Sequence, residues 1–222
     1  MVTQVLVISP HMDDEVLGCG GAIARYVEEG DRVAVCVVCN RAYGHTYDLK
    51  TIEQEKQSAQ RAKQILGYTN LHFFDLPDER LDGHFTDLLT VLEKCIGEIK
   101  PEVVYVCHAG DLHQDHRIVA HASNIALRAA RWPSLRQVFA YEVPSGTDQV
   151  YPNGASPFFP TVFVDISGQL DRKCAAMAAY ERESRPFPNS RSPEMLKALA
   201  QVRGAQCGRT AAEAFVLLRE TR

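Results

Sequence analysis

Two short stretches of this chain concentrate groups able to bind a metal or move a proton. Pro10-His11-Met12-Asp13-Asp14-Glu15 sets one imidazole beside three consecutive carboxylates. His108-Ala-Gly-Asp-Leu-His113-Gln-Asp115-His116 gathers three imidazoles and two carboxylates, in a chain with 8 histidines. No packing requirement calls for such runs, whereas a divalent ion needs a compact set of imidazole and carboxylate ligands. His11 and Asp14 are three apart, as are His113 and His116, so one turn of chain can aim each pair at one point. Two histidines and one carboxylate leave coordination positions open, which marks a catalytic ion, since a structural one is closed by four protein ligands. An ion in such a site lowers the pKa of a bound water towards ~7. The remaining titratable groups, with Asp13, His113 and Asp115 in that place, supply base, acid and orienter. Spacing alone does not choose Asp14 over Asp13, or His116 over His113, as a ligand.

The surrounding pattern says how these stretches are held. Val5–Ser9, Val33–Cys39, Leu71–Phe74 and Val103–Cys107 are apolar runs that read as buried strands. Between them, Val16–Glu29, Thr51–Leu66 and Thr86–Ile99 have helical spacing, with Gly30 and Gly67 as stops and Thr51-Ile-Glu-Gln54 as a capping box. This alternation predicts an α/β fold: a Rossmann-like three-layer sandwich with a mainly parallel sheet. Both polar clusters follow the carboxyl ends of strands, where such sheets bind ligands. Further on, a helix to about Arg131, strands at Val138–Val143, Thr161–Ile166 and Ala214–Leu218, and helices at Ser167–Arg182 and Glu194–Val202 are expected. Residues 1–222 read as a single domain, without repeat or linker.

Composition narrows the function classes. A net charge of −4 offers no basic stripe for nucleic acid. No apolar run approaches the ~20 residues of a transmembrane helix, and Pro10 and the acidic cluster interrupt the N-terminal run too early for a signal peptide. A cytoplasmic protein is the expectation, with homo-oligomerisation left open. The 7 cysteines are scattered, several within strand-like runs, where a free cysteine acts as a small hydrophobe. Cys36 and Cys39 lie three apart on one strand, hence on opposite faces, and cannot share an ion.

Pro10-His-Met-Asp-Asp-Glu15 together with His113-Gln-Asp-His116 resembles the LmbE-like (PIG-L) metal-dependent N-deacetylases. Met12 and Gln114 stand where that family usually has proline, and neither change touches a reactive group. Gly18-Cys-Gly-Gly21 and the Leu76-Pro-Asp78 loop are similar too, so the resemblance covers most of the chain. It implies that His11, Asp14 and His116 hold the metal, commonly zinc, with ferrous iron also suited to the set. It further implies that Asp13 is the general base. His113, oriented by Asp115, would stabilise the oxyanion and help protonate the leaving amine. Glu15 reads as a supporting carboxylate at the helix N-terminus. The products would be acetate and a free amine, typically on an amino sugar of the N-acetylglucosamine type, and Asp78 would contact substrate hydroxyls. The family's arginine on the second helix has no counterpart: Glu55 stands near that place. Arg41, Arg117, Arg185 and Arg191 are the substitutes, with Arg185 taken as the substrate-binding one. The Asn40–Lys50 and Arg185–Pro193 loops are where specificity is expected.

Four rival readings fit the residues less well. A dinucleotide-binding turn fails because Ile23 stands where the fingerprint needs its last glycine. A non-haem iron enzyme shares the ligand types but usually sits on a jelly roll. A two-metal phosphoesterase needs more ligands, and a non-catalytic binding protein would not need Asp13. Another metal-dependent amidase or de-N-acylase acting on a non-sugar metabolite, or a non-haem iron enzyme, stays as the alternative.

Overall fold

The computed structural model describes residues 2–42, 45–150 and 156–222; residues 43–44 of the Asn40–Lys50 loop and 151–155 of the Pro144–Pro160 loop lie outside them. Seven strands form one sheet: β1 (Gln4–Ser9), β2 (Arg32–Asn40), β3 (Asn70–Pro77), β4 (Val103–Cys107), β5 (Gln137–Tyr141), β6 (Val162–Asp165) and β7 (Ala212–Glu220). Their order is β3-β2-β1-β4-β5-β7-β6. The first five are parallel, and β7 runs antiparallel to both β5 and β6. The expected α/β three-layer architecture is present.

The helices are α1 (Asp14–Glu28), α2 (Leu49–Leu66), α3 (Phe85–Ile99), α4 (Gln114–Ala126), α5 (Leu170–Ala178) and α6 (Pro193–Cys207). α1, α2, α5 and α6 pack against one another in one layer, and α3 pairs with α4 in the other. Apolar runs such as Val5–Ile8 and Val33–Cys39 are buried throughout because a parallel strand is covered on both faces.

Several boundaries differ from expectation, each for a local reason. α2 starts at Leu49 because Asp48, not Thr51, is its cap: the Asp48 carboxylate accepts from the Thr51 N–H at 2.9 Å. α4 stops at Ala126, short of Arg131, where the Trp132 indole N–H donates to the Ala126 carbonyl. α5 begins only at Leu170, since Ser167 is held in a turn by the Asp165 carboxylate. α6 runs on to Cys207 and is closed by Gly208 in the left-handed region.

The order of the sheet positions the chemistry. β1 and β4 are adjacent, although their connections lead to opposite edges. At such a switch point a crevice opens beyond the strand ends. The polar stretch after β1 and the one after β4 are the two lips of that crevice. α1 enters it closely because Gly18 faces the Tyr141 ring: a Cβ there would lie 2.2 Å from Tyr141 Cδ2. Tyr141 is fully buried and its hydroxyl donates to the Ile8 carbonyl at 2.8 Å, so the ring has nowhere to go. Gly18→Ala is therefore expected to cost ~1–3 kcal/mol by overpacking, read as a lower urea midpoint with an unchanged slope.

Candidate metal centre

His11 and Asp14 leave the end of β1 as the chain turns into α1, while His116 sits in the first turn of α4. Three donor atoms from them form a buried triangle. His11 Nδ1 lies 3.2 Å from His116 Nε2 and 3.3 Å from Asp14 Oδ2, and His116 Nε2 lies 3.2 Å from the same oxygen. All three residues are at most 3 % exposed.

Each imidazole is aimed by a carboxylate on its far side. His11 Nε2 lies 2.8 Å from Asp78 Oδ1 and 3.3 Å from Asp115 Oδ2, which leaves Nδ1 to face the triangle. His116 Nδ1 faces Asp111 Oδ2 at 3.3 Å, an ion-pair contact without hydrogen-bond geometry, which leaves Nε2 to do so. Asp111 is itself fixed, accepting from the His113 N–H at 2.8 Å and from the Thr147 hydroxyl at 2.7 Å. Ligating histidines are typically oriented in this way through their second nitrogen.

The electrostatics ask for a cation. Burial works against charge on His116, but Asp14 and Asp111 outweigh it and push the imidazole up to about 9. Burial likewise opposes charge on His11, and Asp115, Asp14 and Asp78 together raise it well above the usual value. Burial tends to raise Asp14, yet His116 and His11 hold it well below the carboxylate range. Asp14 Oδ1 is buried and has no hydrogen-bond partner among the described residues. Buried donors converging with excess negative charge and an unused oxygen fit a divalent ion.

Asp13 sits beside the triangle at φ 110°, a backbone region a non-glycine residue rarely adopts. Its N–H donates to Glu15 Oε2 at 3.1 Å, and Glu15 Oε1 accepts from the Tyr180 hydroxyl at 2.6 Å. Glu15 thus supports the strained turn from inside α1. Burial and the neighbouring Asp14 lift the Asp13 carboxyl to about 7, against the pull of Arg191 and Arg41. Asp13 Oδ2 accepts from Arg191 at 2.8 Å, and Oδ1 is buried with no partner among the described residues.

Three expectations about contacts need correcting. The Asp115 carboxylate does not orient His113; it accepts from the Glu79 N–H at 2.7 Å and lies against His11. It is the Asp115 backbone N–H that donates to His113 Nδ1, at 3.2 Å, because His113 is the N-cap of α4. Asp78, expected to contact substrate, is 3 % exposed and turned inward, with Oδ1 2.8 Å from His11 Nε2 and Oδ2 accepting from the Ala42 N–H at 2.9 Å. Arg117 donates to the Asp111 and Leu112 carbonyls and is spent on its own loop.

His11, His113 and His116 open onto a cleft of about 390 Å³ whose walls include Arg41, Arg185 and Arg191. Arg185 is exposed, its Nε donating to the Arg182 carbonyl at 2.9 Å. Burial and the neighbouring imidazoles push His113 down to about 4, so it is neutral, with Nδ1 accepting and its proton on Nε2. Sequence reasoning gave no role to Asp111, Ser145 or Glu183. Asp111 at least stood inside the second cluster, whereas the other two carry no local signal.

The family model described as "PIG-L: GlcNAc-PI de-N-acetylase" matches residues 6–127. The uncharacterized deacetylase YaiS of Escherichia coli is 32% identical over 146 residues, covering 64% of this chain and 74% of that protein. The diacetylchitobiose deacetylase of Thermococcus kodakarensis is 26% identical over 198 residues, 82% of this chain and 70% of that protein. The 4-oxalmesaconate hydratase of Pseudomonas putida is 28% identical over 195 residues, 78% and 71% of the two chains. Among solved structures, the conserved protein TT1542 from Thermus thermophilus superposes with a TM-score of 0.79 at 25% identity, over 100% of this chain and 97% of that one. With more than half of its length matched, including both lips of the crevice, the chain belongs to the PIG-L (LmbE-like) family.

Proposed function

We propose that the protein is a metal-dependent N-deacetylase that removes the acetyl group from an N-acetylglucosamine-type sugar or conjugate, releasing acetate and a free amine. The observation that carries this reading is the buried triangle of His11, Asp14 and His116 with Asp13 beside it. The sugar class is supported by the deacetylase relatives. Zinc is the proposed ion, and ferrous iron suits the same donors. When bound, the ion supplies Lewis-acid polarisation of the amide carbonyl and a water of lowered pKa.

The protein's own groups do the rest. Asp13, whose carboxyl titrates near neutrality, takes a proton from the attacking water. His113 is a neutral imidazole that donates its Nε2–H to the carbonyl oxygen as that oxygen gains charge. Asp13, protonated once it has taken the proton of the water, is the group placed to pass that proton on to the leaving amine. Arg185, on the wall of the cleft, is positioned to hold hydroxyl or acidic groups of the substrate.

Acetate release from a panel of N-acetylglucosamine derivatives (free, nucleotide-linked and inositol-linked) tests the reading; no acetate from any of them would set it aside. The hydratase relative supports a second reading, addition of water to an unsaturated acid, for which the arginine-lined cleft is also suited. Consumption of such an acid without acetate formation would favour it.

The aiming carboxylates give a separate expectation. Asp111→Asn and Asp78→Asn leave all three donors in place but weaken their orientation, and each should lower metal affinity by about 10- to 100-fold. Competition with a chromogenic chelator measures this, and wild-type affinity in both variants would show that the carboxylates do not aim the ligands.

A further inference from the structure

We propose that Arg191, contributed by the proline-rich segment between α5 and α6, is a positioning residue for Asp13. This rests on Asp13 being the base. The segment 185–193 was expected to govern specificity; its deepest contact is instead with the reacting carboxylate.

The geometry is specific. Arg191 Nη1 donates to Asp13 Oδ2 at 2.8 Å and also to Glu183 Oε2, while Nε donates to Ser145 Oγ at 3.0 Å. One guanidinium therefore ties the turn after β1, the loop after β5 and the segment after α5. Its own backbone is pinned: the Arg191 N–H donates to Asn189 Oδ1 at 2.9 Å, and the next residue, Ser192, is the buried N-cap of α6. A planar fork held at both ends fixes direction as well as charge.

What it fixes is which Asp13 oxygen is available. With Oδ2 occupied by Arg191, the oxygen without a partner among the described residues is Oδ1. Carboxylate rotation would interchange the two, and the Arg191 contact opposes it. Arg41 also acts on Asp13 by its charge, and it pairs with Glu183 Oε1 at 3.1 Å, the carboxylate that Arg191 shares. Arg191 is 178 positions from Asp13 in the chain, and no spacing pattern links them.

The test is a double-mutant cycle on acetate release, with metal content and thermal stability measured alongside. Arg191→Gln should lower kcat by about 10- to 100-fold with KM little changed and the metal retained, because only the aim of the base is lost. Arg191→Lys should recover part of the loss, since it keeps the charge but not the fork. In an Asp13→Asn background, Arg191→Gln should have no further effect. Ser145→Ala, which removes one anchor and no charge, should lower kcat in the same direction by less, and it keeps the inference testable should Arg191→Gln fold poorly. An inactive Asp13→Asn beside an unimpaired Arg191→Gln, or a loss that multiplies in the double variant, would overturn the positioning role alone. An Asp13→Asn protein as active as wild type would remove the base assignment, and this inference with it.

Discussion

Asp13→Asn should abolish most acetate release while leaving the metal in place. The amide is isosteric with the acid and meets the same backbone requirement at φ 110°, so the substitution adds little backbone strain. His11, Asp14 and His116 are untouched. What is lost is a carboxylate able to take a proton from water and pass it to the amine, a contribution of about 10²–10⁴ in kcat. The variant should bind the ion as wild type does and fold with the same midpoint. Full activity would mean that another group moves the proton.

The second large effect concerns stability. Lys173 on α5 and Glu213 on β7 form an ion pair at 2.6 Å, each 4 % exposed, pressed against the middle of α1. Glu213 accepts from the Gly21 and Ala22 N–H groups at 2.8 and 2.7 Å, and Lys173 donates to the Leu17 carbonyl at 2.8 Å. The pair thus joins a helix, a sheet strand and the interior of the helix that carries Asp14. Lys173→Met leaves a carboxylate buried without its cation and should cost ~3–5 kcal/mol, a fall in Tm on the order of 10 °C for a chain of this size. Lys173→Met combined with Glu213→Gln removes both charges and should recover a substantial part. Simple additivity of the two single variants in urea denaturation would show that the pair is not coupled.

How far the sequence carried these conclusions depends on distance along the chain. The donors were legible because each pair lies within one turn of a strand end, and strand ends are marked by the loss of apolar residues. The far-side carboxylates were not. Asp78 reaches His11 only because β3 lies two strands from β1 across β2, a register that no local pattern encodes. The family resemblance pairs Asp115 with His113, but as an N-terminal residue of α4 its carboxylate projects towards His11 and its backbone faces His113. Arg191 lies in a segment without periodicity, so nothing local pointed to it. The direction of β7 was equally hidden: its apolar run marks a strand but not which way it runs. Among the described residues, no helix is long and apolar enough to cross a membrane, in keeping with the composition.

Metal removal and restoration test the account most directly. Protein stripped by a chelator should lose acetate release from an N-acetylglucosamine-type substrate and regain it with about one equivalent of Zn²⁺ or Fe²⁺ per chain, the stoichiometry of a single three-ligand site. His116→Ala, treated in parallel, should neither retain the ion nor recover. Undiminished acetate release from metal-free protein, or full restoration of the His116→Ala variant, would contradict the assignment of His11, Asp14 and His116 as the centre of the chemistry.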